Sequence, residues 1–278
     1  MQITAAQVNE LRNLTGAGLM DCKKALTEAN GDVQAAIDFL RKKGAKVAEL
    51  RAGRAAAEGV VVAKTTADNK KGVVVYLSCE TDFVAKNEEF IKLANGIADA
   101  ALAKGATTLD EVLELDLGGT SVKNAVQEKV SAIGELIAVS AYEHLEGEAL
   151  VSYNHMGNKI GVLVAINKPL NDAVSAVTRD VAMQIAAMNP LAVDASGVPA
   201  EVVEREKTIA REKAAAAGKP ENMLDKISEG AANSYIKENT LLTQPFVKDS
   251  SKNVSQVLGS AESGLTVTGF KRVERGTK

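Results

Sequence analysis

Apolar positions in the first fifty residues recur at helical spacing in three short sets. Val8, Leu11 and Leu14 form the first, entered through Thr4 and Gln7 at capping-box spacing and ended by Thr15-Gly16. Cys22, Ala25, Leu26 and Ala29 line the second, which Asn30-Gly31 breaks. Asp32 then stands where it caps a third, with Val33, Ala36, Ile37 and Leu40 facing inward. Beyond this helical module the pattern changes to continuous β-branched runs. Val60 to Ala63 and Gly72 to Leu77 (GVVVYL) predict two strands paired around the Ala67-Asp68-Asn69 turn, the second stopping near Glu80. Phe90, Ala94, Ile97 and Ala101 return to helical spacing behind Asn87, a good N-cap, with Glu88 and Glu89 at the positive end of the helix dipole. A helix over 88–104 therefore covers one face of the strands.

The plan then repeats. Ser121 to Lys129 reads as a helix and Ile137 to Tyr142 as a strand placed to join two sheets. Ala149 to Tyr153 and Ile160 to Ile166 are strand-like, and Asp172 to Met188 carries Val174, Val177, Val181, Ile185 and Met188 at helical spacing. Residues 199–238 break the pattern: Val202, Ile209 and Ala216 recur every seven residues, as do Val203, Ala210 and Ala217. Gly218 stops that helix, Pro220 suits the start of a return helix, and Leu224, Ile227 and Ala231 continue a facing stripe, so the segment is a helical hairpin. Gln244-Pro245-Phe246 returns the chain to the core and Leu265 to Val273 supplies a late strand.

Two places in this pattern set apolar side chains where a core does not need them. Thr81 to Lys86 is a turn between strand and helix, and Phe83 lies in it behind Asp82. With five Phe, four Tyr and no Trp in the chain, a Phe spent there points outward for docking; the alternative is that it folds back on its own sheet. Leu19-Met20 lies beside the Gly-rich first connection, packing under the loop or protruding from it.

Composition narrows the chemistry. The net charge of −3 gives no general drive toward nucleic acid. Arg41-Lys42-Lys43, Lys46, Arg51 and Arg54 gather at the end of the third helix, where dipole partnership and a solvated linker account for them better than an RNA contact. Residues 52–59 (AGRAAAEG) read as a boundary of helical or flexible character. The longest apolar runs fall far short of the roughly 20 residues that span a bilayer, and the N-terminus lacks a signal-peptide core, so a cytoplasmic location is expected. Cys22 and Cys79 are isolated thiols without a CxxC or His-rich neighbourhood, which argues against a disulfide or zinc site and for small, semi-buried residues. Gly16-Ala17-Gly18 lacks the spacing of either phosphate-binding loop. With only His144 and His155, neither a hydrolase triad nor a His-based metal site is expected, and no cofactor is implied.

Two segments, LRNLTGAGLMDCKKAL at 11–26 and SCETDFVAKN at 78–87, carry a resemblance to bacterial elongation factor Ts, the nucleotide exchange factor for elongation factor Tu. Further matches at Ile133-Gly134-Glu135, 152–155 (SYNH), 160–164 (IGVLV), 244–247 (QPFV) and 267–270 (VTGF) extend it over nearly the whole chain. The resemblance implies an α+β fold: a ubiquitin-associated-like three-helix module with its linker over 1–54, a core of two α/β half-domains, and an inserted hairpin. The core half-domains take 55–140 and 141–192, the hairpin 193–241, and the remainder of the second half-domain 242–278. It also implies that Phe83 and Asp82, flanked by Thr81 and Val84, wedge into the nucleotide-binding domain of elongation factor Tu near its Mg²⁺. Arg12, Leu19 and Met20 would anchor the first module there. Ile133 and His155 would lie on the partner-facing side, and the hairpin over 199–238 would support self-association, the alternative for this Ala-rich segment being that it packs on its own core. The chain stops soon after Val273, where longer relatives add a C-terminal helix. Two other classes stay open: an adaptor built on the three-helix module, and an enzyme for a small molecule.

Overall fold

The computed structural model describes residues 3–51 and 53–277; Met1, Gln2, Ala52 of the 52–59 boundary and Lys278 lie outside the described residues. The fold is α+β. Three helices come first: α1 (Ala5–Thr15), α2 (Leu19–Glu28) and α3 (Val33–Arg51). Thr4 and Gln7 make the capping box at α1, and Asp32 Oδ1 accepts from Ala35 N at 2.8 Å at the start of α3. Val8, Leu11, Cys22, Ala25, Leu26, Ala36 and Leu40 close one small core. Leu14 departs from the predicted stripe: it lies within α1, but it is left out of the small core and is 62% exposed.

Two three-stranded antiparallel sheets follow. In the first, β2 (Lys71–Cys79) lies between β1 (Glu58–Thr65) and β3 (Ala138–Glu146). In the second, β5 (Ile160–Ile166) lies between β4 (Ala149–His155) and β8 (Val267–Glu274). Side chains alternate along a strand, so a run that is apolar at every position needs cover on both faces. That is what β2 receives. Val73, Val75, Leu77 and Cys79 face α4 (Asp82–Ala85), α5 (Glu88–Lys104), α6 (Leu109–Glu114) and α7 (Val122–Ile133), while Val74 and Tyr76 meet Leu163 and Val273 of the second sheet. On the far side, Val162, Val164 and Ile166 pack on α8 (Asp172–Met188) and α11 (Val254–Ala261).

β3 takes part in joining the sheets through its side chains: Ala141 and Leu145 pack against the cluster that holds Leu163 and Val273, and Lys271 Nζ pairs with Glu143 at 2.6 Å. Its strand ladder is with β2, and the sheets are also joined by the packed faces and at the free edge of β1. There Asn154 Nδ2 donates to Ala63 O at 3.0 Å, its Oδ1 accepts from Ala63 N at 2.8 Å, and Asn158 O accepts from Val61 N at 2.8 Å. An edge strand leaves backbone groups unpaired unless something covers them.

The hairpin is α9 (Ala200–Ala216) and α10 (Glu221–Asn239), whose buried positions are Ala214, Leu224, Ser228 and Ala232. The deepest row is 224, 228 and 232, with Ile227 and Ala231 of the predicted stripe half-buried beside it. A two-stranded ribbon, β6 (Pro245–Phe246) with β7 (Asp249–Asn253), brings the buried Phe246 back to the core. This ribbon, α6 and α11 had no expectation in the sequence; all three are too short for periodicity to register. Among the described residues no helix is long and apolar enough to cross a membrane.

Candidate functional site

β2 ends at Cys79, the register partner of Glu58, and the chain leaves the sheet through a turn held by two carboxylates that cross over. Thr81 takes an extended backbone and caps α4, a single helical turn where a plain turn was expected; its Oγ1 accepts from Val84 N at 3.4 Å. Glu135 Oε2 accepts from Glu80 N at 3.1 Å and Thr81 N at 3.0 Å, and its Oε1 accepts from the Thr81 hydroxyl at 2.7 Å. Glu80 reciprocates, with Oε1 accepting from Leu136 N at 2.7 Å. Arg51 Nη1 donates to both Glu80 oxygens, at 2.7 and 2.9 Å, and Arg54 Nη1 reaches Oε2 at 3.3 Å. The basic cluster is thus not only a solvated linker: Arg51 and Arg54 are spent on Glu80, and Arg41 Nε donates to Glu128 Oε1 at 2.8 Å.

On this turn the apolar residues separate. Ala85 is buried and Val84 packs against the first core, whereas Phe83 is 83% exposed. Asp82 pairs with Lys86 at 2.6 Å, and that hydrogen bond holds its carboxyl below the usual aspartate range. Burial opposes ionisation of Glu80, but Leu136 N–H and the two guanidinium groups outweigh it and its pKa falls below the ordinary 4.5. The consequence has a sign. A folded-state pKa below the unfolded one means stability fully present above pH 4.5 and lost as pH falls through the lower folded value. Melting temperatures of the wild type and Glu80→Gln are therefore expected to differ at pH 7 and to converge toward pH 3. A gap that persists unchanged into acid would show that the charge of Glu80 contributes nothing. Behind the turn, burial and then the charge of Glu135 push the Cys79 thiol up to about 12. Cys79 and Cys22 are both fully buried free thiols, deeper than the semi-buried positions expected.

The other predicted residues divide. Ile133 ends α7, 37% exposed, and Glu135 ties its loop directly to the Phe83 turn. Arg12 on α1 is exposed, and so are Leu19 and Met20 at 48% and 73%. Leu19 and Met20 border a groove of roughly 430 Å³ whose other walls include Ile3, Val8 and Lys23. α3 links their module to the turn, lying along α7 with Gly44 so close that a Cβ would sit 2.5 Å from Gln127 O. His155 ends β4, its Nδ1 2.9 Å from the Tyr153 hydroxyl. Among the described residues no group of three or more His, Cys, Asp or Glu side chains is arranged to hold a metal ion.

The family model described as Elongation factor TS matches residues 80–277. An Elongation factor Ts of Amoebophilus asiaticus is 50% identical over 273 residues, covering 98% of this chain and 99% of its own length. The chain belongs to the elongation factor Ts family. A second Elongation factor Ts, of Christiangramia forsetii, is 46% identical over 275 residues and covers 99% of each chain. A third, of Prosthecochloris aestuarii, is 42% identical over 287 aligned positions at the same coverage. Membership places the work of this elongation factor in translation elongation.

For an elongation factor Ts, the residues that sequence reasoning passed over are the holders rather than the contacts. Glu80 and Glu135 both stood inside quoted motifs, but neither motif states which backbone groups they accept from. Met156, 64% exposed at φ 50° in the β4–β5 turn, was also missed; an apolar residue between His155 and Gly157 was its signal.

Proposed function

We propose that this chain binds elongation factor Tu and speeds its release of GDP, so that GTP rebinds, without making or breaking a covalent bond. The observation that carries this reading is Phe83: a large apolar side chain, 83% exposed, on a turn whose backbone is pinned from two sides. An exposed aromatic on a preorganised turn has the character of an interface hot spot, because little freedom is left to lose on docking. Phe83, with Asp82 beside it, enters the partner's nucleotide-binding domain and disturbs the groups that hold Mg²⁺ and phosphate. Linkage requires tighter binding to the nucleotide-free partner than to the loaded one, so incoming nucleotide ejects the factor. Each tenfold gain in release rate takes about 1.4 kcal/mol of differential stabilisation. Burying one Phe supplies about 1.5 to 3 kcal/mol, so further contacts cooperate. Arg12, Leu19 and Met20 of a ubiquitin-associated-like module over 1–54, together with Ile133 and His155, supply them. The second half-domain, split by the hairpin over 193–241, grips another domain of the partner. The protein works in the cytoplasm with no cofactor and no nucleic acid contact.

The test is stopped-flow release of a fluorescent GDP analogue from cognate elongation factor Tu with and without this protein. Large acceleration is expected. No acceleration by folded protein would sink the reading, and recovery of ubiquitin-like proteins without elongation factor Tu would favour the adaptor. The hairpin leaves Ile209 and Met223 exposed at 36% and 47%, which supports pairing of two copies through 199–238. Sedimentation should then show a dimer that Ile209→Glu with Met223→Glu converts to monomer; an unchanged mass in the double variant rules out this surface.

A further inference from the structure

We propose that Arg51, Glu80 and Glu135 form a positioning clasp that makes the seat of the three N-terminal helices and the pose of Phe83 one mechanical unit. Resting on the exchange reading above, the clasp adds how the reacting turn is held and by what. Two separate routes lead from α3 to that turn. Along the first, Gly44 lets α3 lie against α7, where a Cβ would also come within 3.0 Å of Ser131 Cβ, and Arg41 Nη2 adds a 3.3 Å bond to Thr120 Oγ1. α7 ends at Ile133, and Glu135, two residues on, grips Thr81 by its N–H and its hydroxyl. Along the second, Arg51 at the last position of α3 takes both oxygens of Glu80, three residues before Phe83.

The geometry leaves Glu80 no idle acceptor direction. Oε1 serves Leu136 N and Arg51, Oε2 serves Arg51 and Arg54, and the side chain is only 13% exposed. One guanidinium nitrogen shared between both oxygens holds the open end of the carboxylate toward Arg51 and complements its charge. Without Arg51 a largely buried carboxylate keeps only Leu136 N–H and Arg54, whose side chain is 59% exposed. Turning toward water then becomes the better way to solvate the charge, and Leu136 N–H and the Glu80 backbone lose their fixed relation. Phe83 would still be present, but spread over more orientations. A wedge that must enter a partner in one pose loses saturating rate first and affinity second.

The experiment uses the full chain and four forms: wild type, Arg51→Gln, Glu80→Gln and the double variant. Backbone hydrogen exchange of Thr81–Val84, read without any partner, is expected to speed by about tenfold in Arg51→Gln, with β2 amides at Val73–Leu77 unchanged. In stopped-flow release the saturating rate is expected to fall about threefold to tenfold, with the half-saturating concentration moving less than twofold. The double variant should be no worse than either single one, the mark of a shared interaction. Unchanged protection at Thr81–Val84 overturns the clasp, as does equal loss of protection in β2, which would mean general loosening. If wild type fails to accelerate release, the exchange reading fails while the amide data still decide the clasp. Arg54→Gln, at a longer and more exposed contact, keeps the comparison open should Arg51→Gln fold poorly, with the same direction at smaller size.

Discussion

Phe83→Ala is expected to slow factor-dependent GDP release from elongation factor Tu by roughly tenfold to hundredfold, the range that about 1.5 to 3 kcal/mol of apolar burial represents. Folding should be untouched. Phe83 is 83% exposed and sits outside all four apolar clusters, so its removal leaves no cavity, and substitutions at such places usually lie within about 0.5 kcal/mol of neutral. The comparison to make is the saturating release rate against melting temperature and partner affinity, measured on the same preparation. Loss of rate at constant melting temperature with binding retained supports the wedge. Equal acceleration by Phe83→Ala and wild type would leave the exchange function standing and move its mechanism to the α1–α2 groove or the Ile133 loop.

Gly59→Ala is expected to cost about 3 kcal/mol or more of stability. Gly59 lies at φ 136° opposite Ser78, in a conformation side chains avoid, and an added Cβ would overlap the Leu77 carbonyl oxygen and lie 2.8 Å from Ser78 Cα. Neither obstacle is a side chain that swings away; both are backbone of the central strand. For a chain of this size the melting temperature should drop by about 6 °C or more. The damage falls on the register pairs that precede the Phe83 turn, Gly59 with Ser78 and Glu58 with Cys79, so the exchange rate should fall along with stability. This is the opposite signature to Phe83→Ala, where rate falls alone. A melting temperature within a degree of wild type would mean that β1 does not approach β2 as described.

The contrast between the two substitutions also divides what local and distant interactions settled. The capping box at Thr4, the Asn87 cap on α5 and the stop of β2 at Cys79 were legible because each depends on groups a few residues apart or on a period within one element, whereas the outward Phe83 was one of two readings that the structure decided. Leu14 was not: periodicity places it on the apolar side of α1, and only the packing of the three helices decides whether anything covers it. In the hairpin the deepest row lies beside the predicted stripe for the same reason, since an Ala-rich helix offers several nearly equivalent faces until a partner selects one.

The site divides along the same line. That Phe83, Leu19 and Met20 fit poorly with a core could be seen from sequence, because each breaks the apolar pattern around it, and all three are exposed. The residues that hold them could not be named in the same way, because Arg51 and Glu80 stand 29 residues apart, Glu80 and Leu136 stand 56 apart, and Asn154 and Ala63 stand 91 apart. A charged or polar side chain has the same local signature whether it meets water or a carboxylate. Sequence alone therefore determined the longer elements and their caps, through short-range hydrogen bonds and hydrophobic period, and narrowed Phe83 to two poses. Tertiary structure decided which carboxylate met which arginine and amide, because only the packing of α3 on α7 and of sheet on sheet brings those groups within reach.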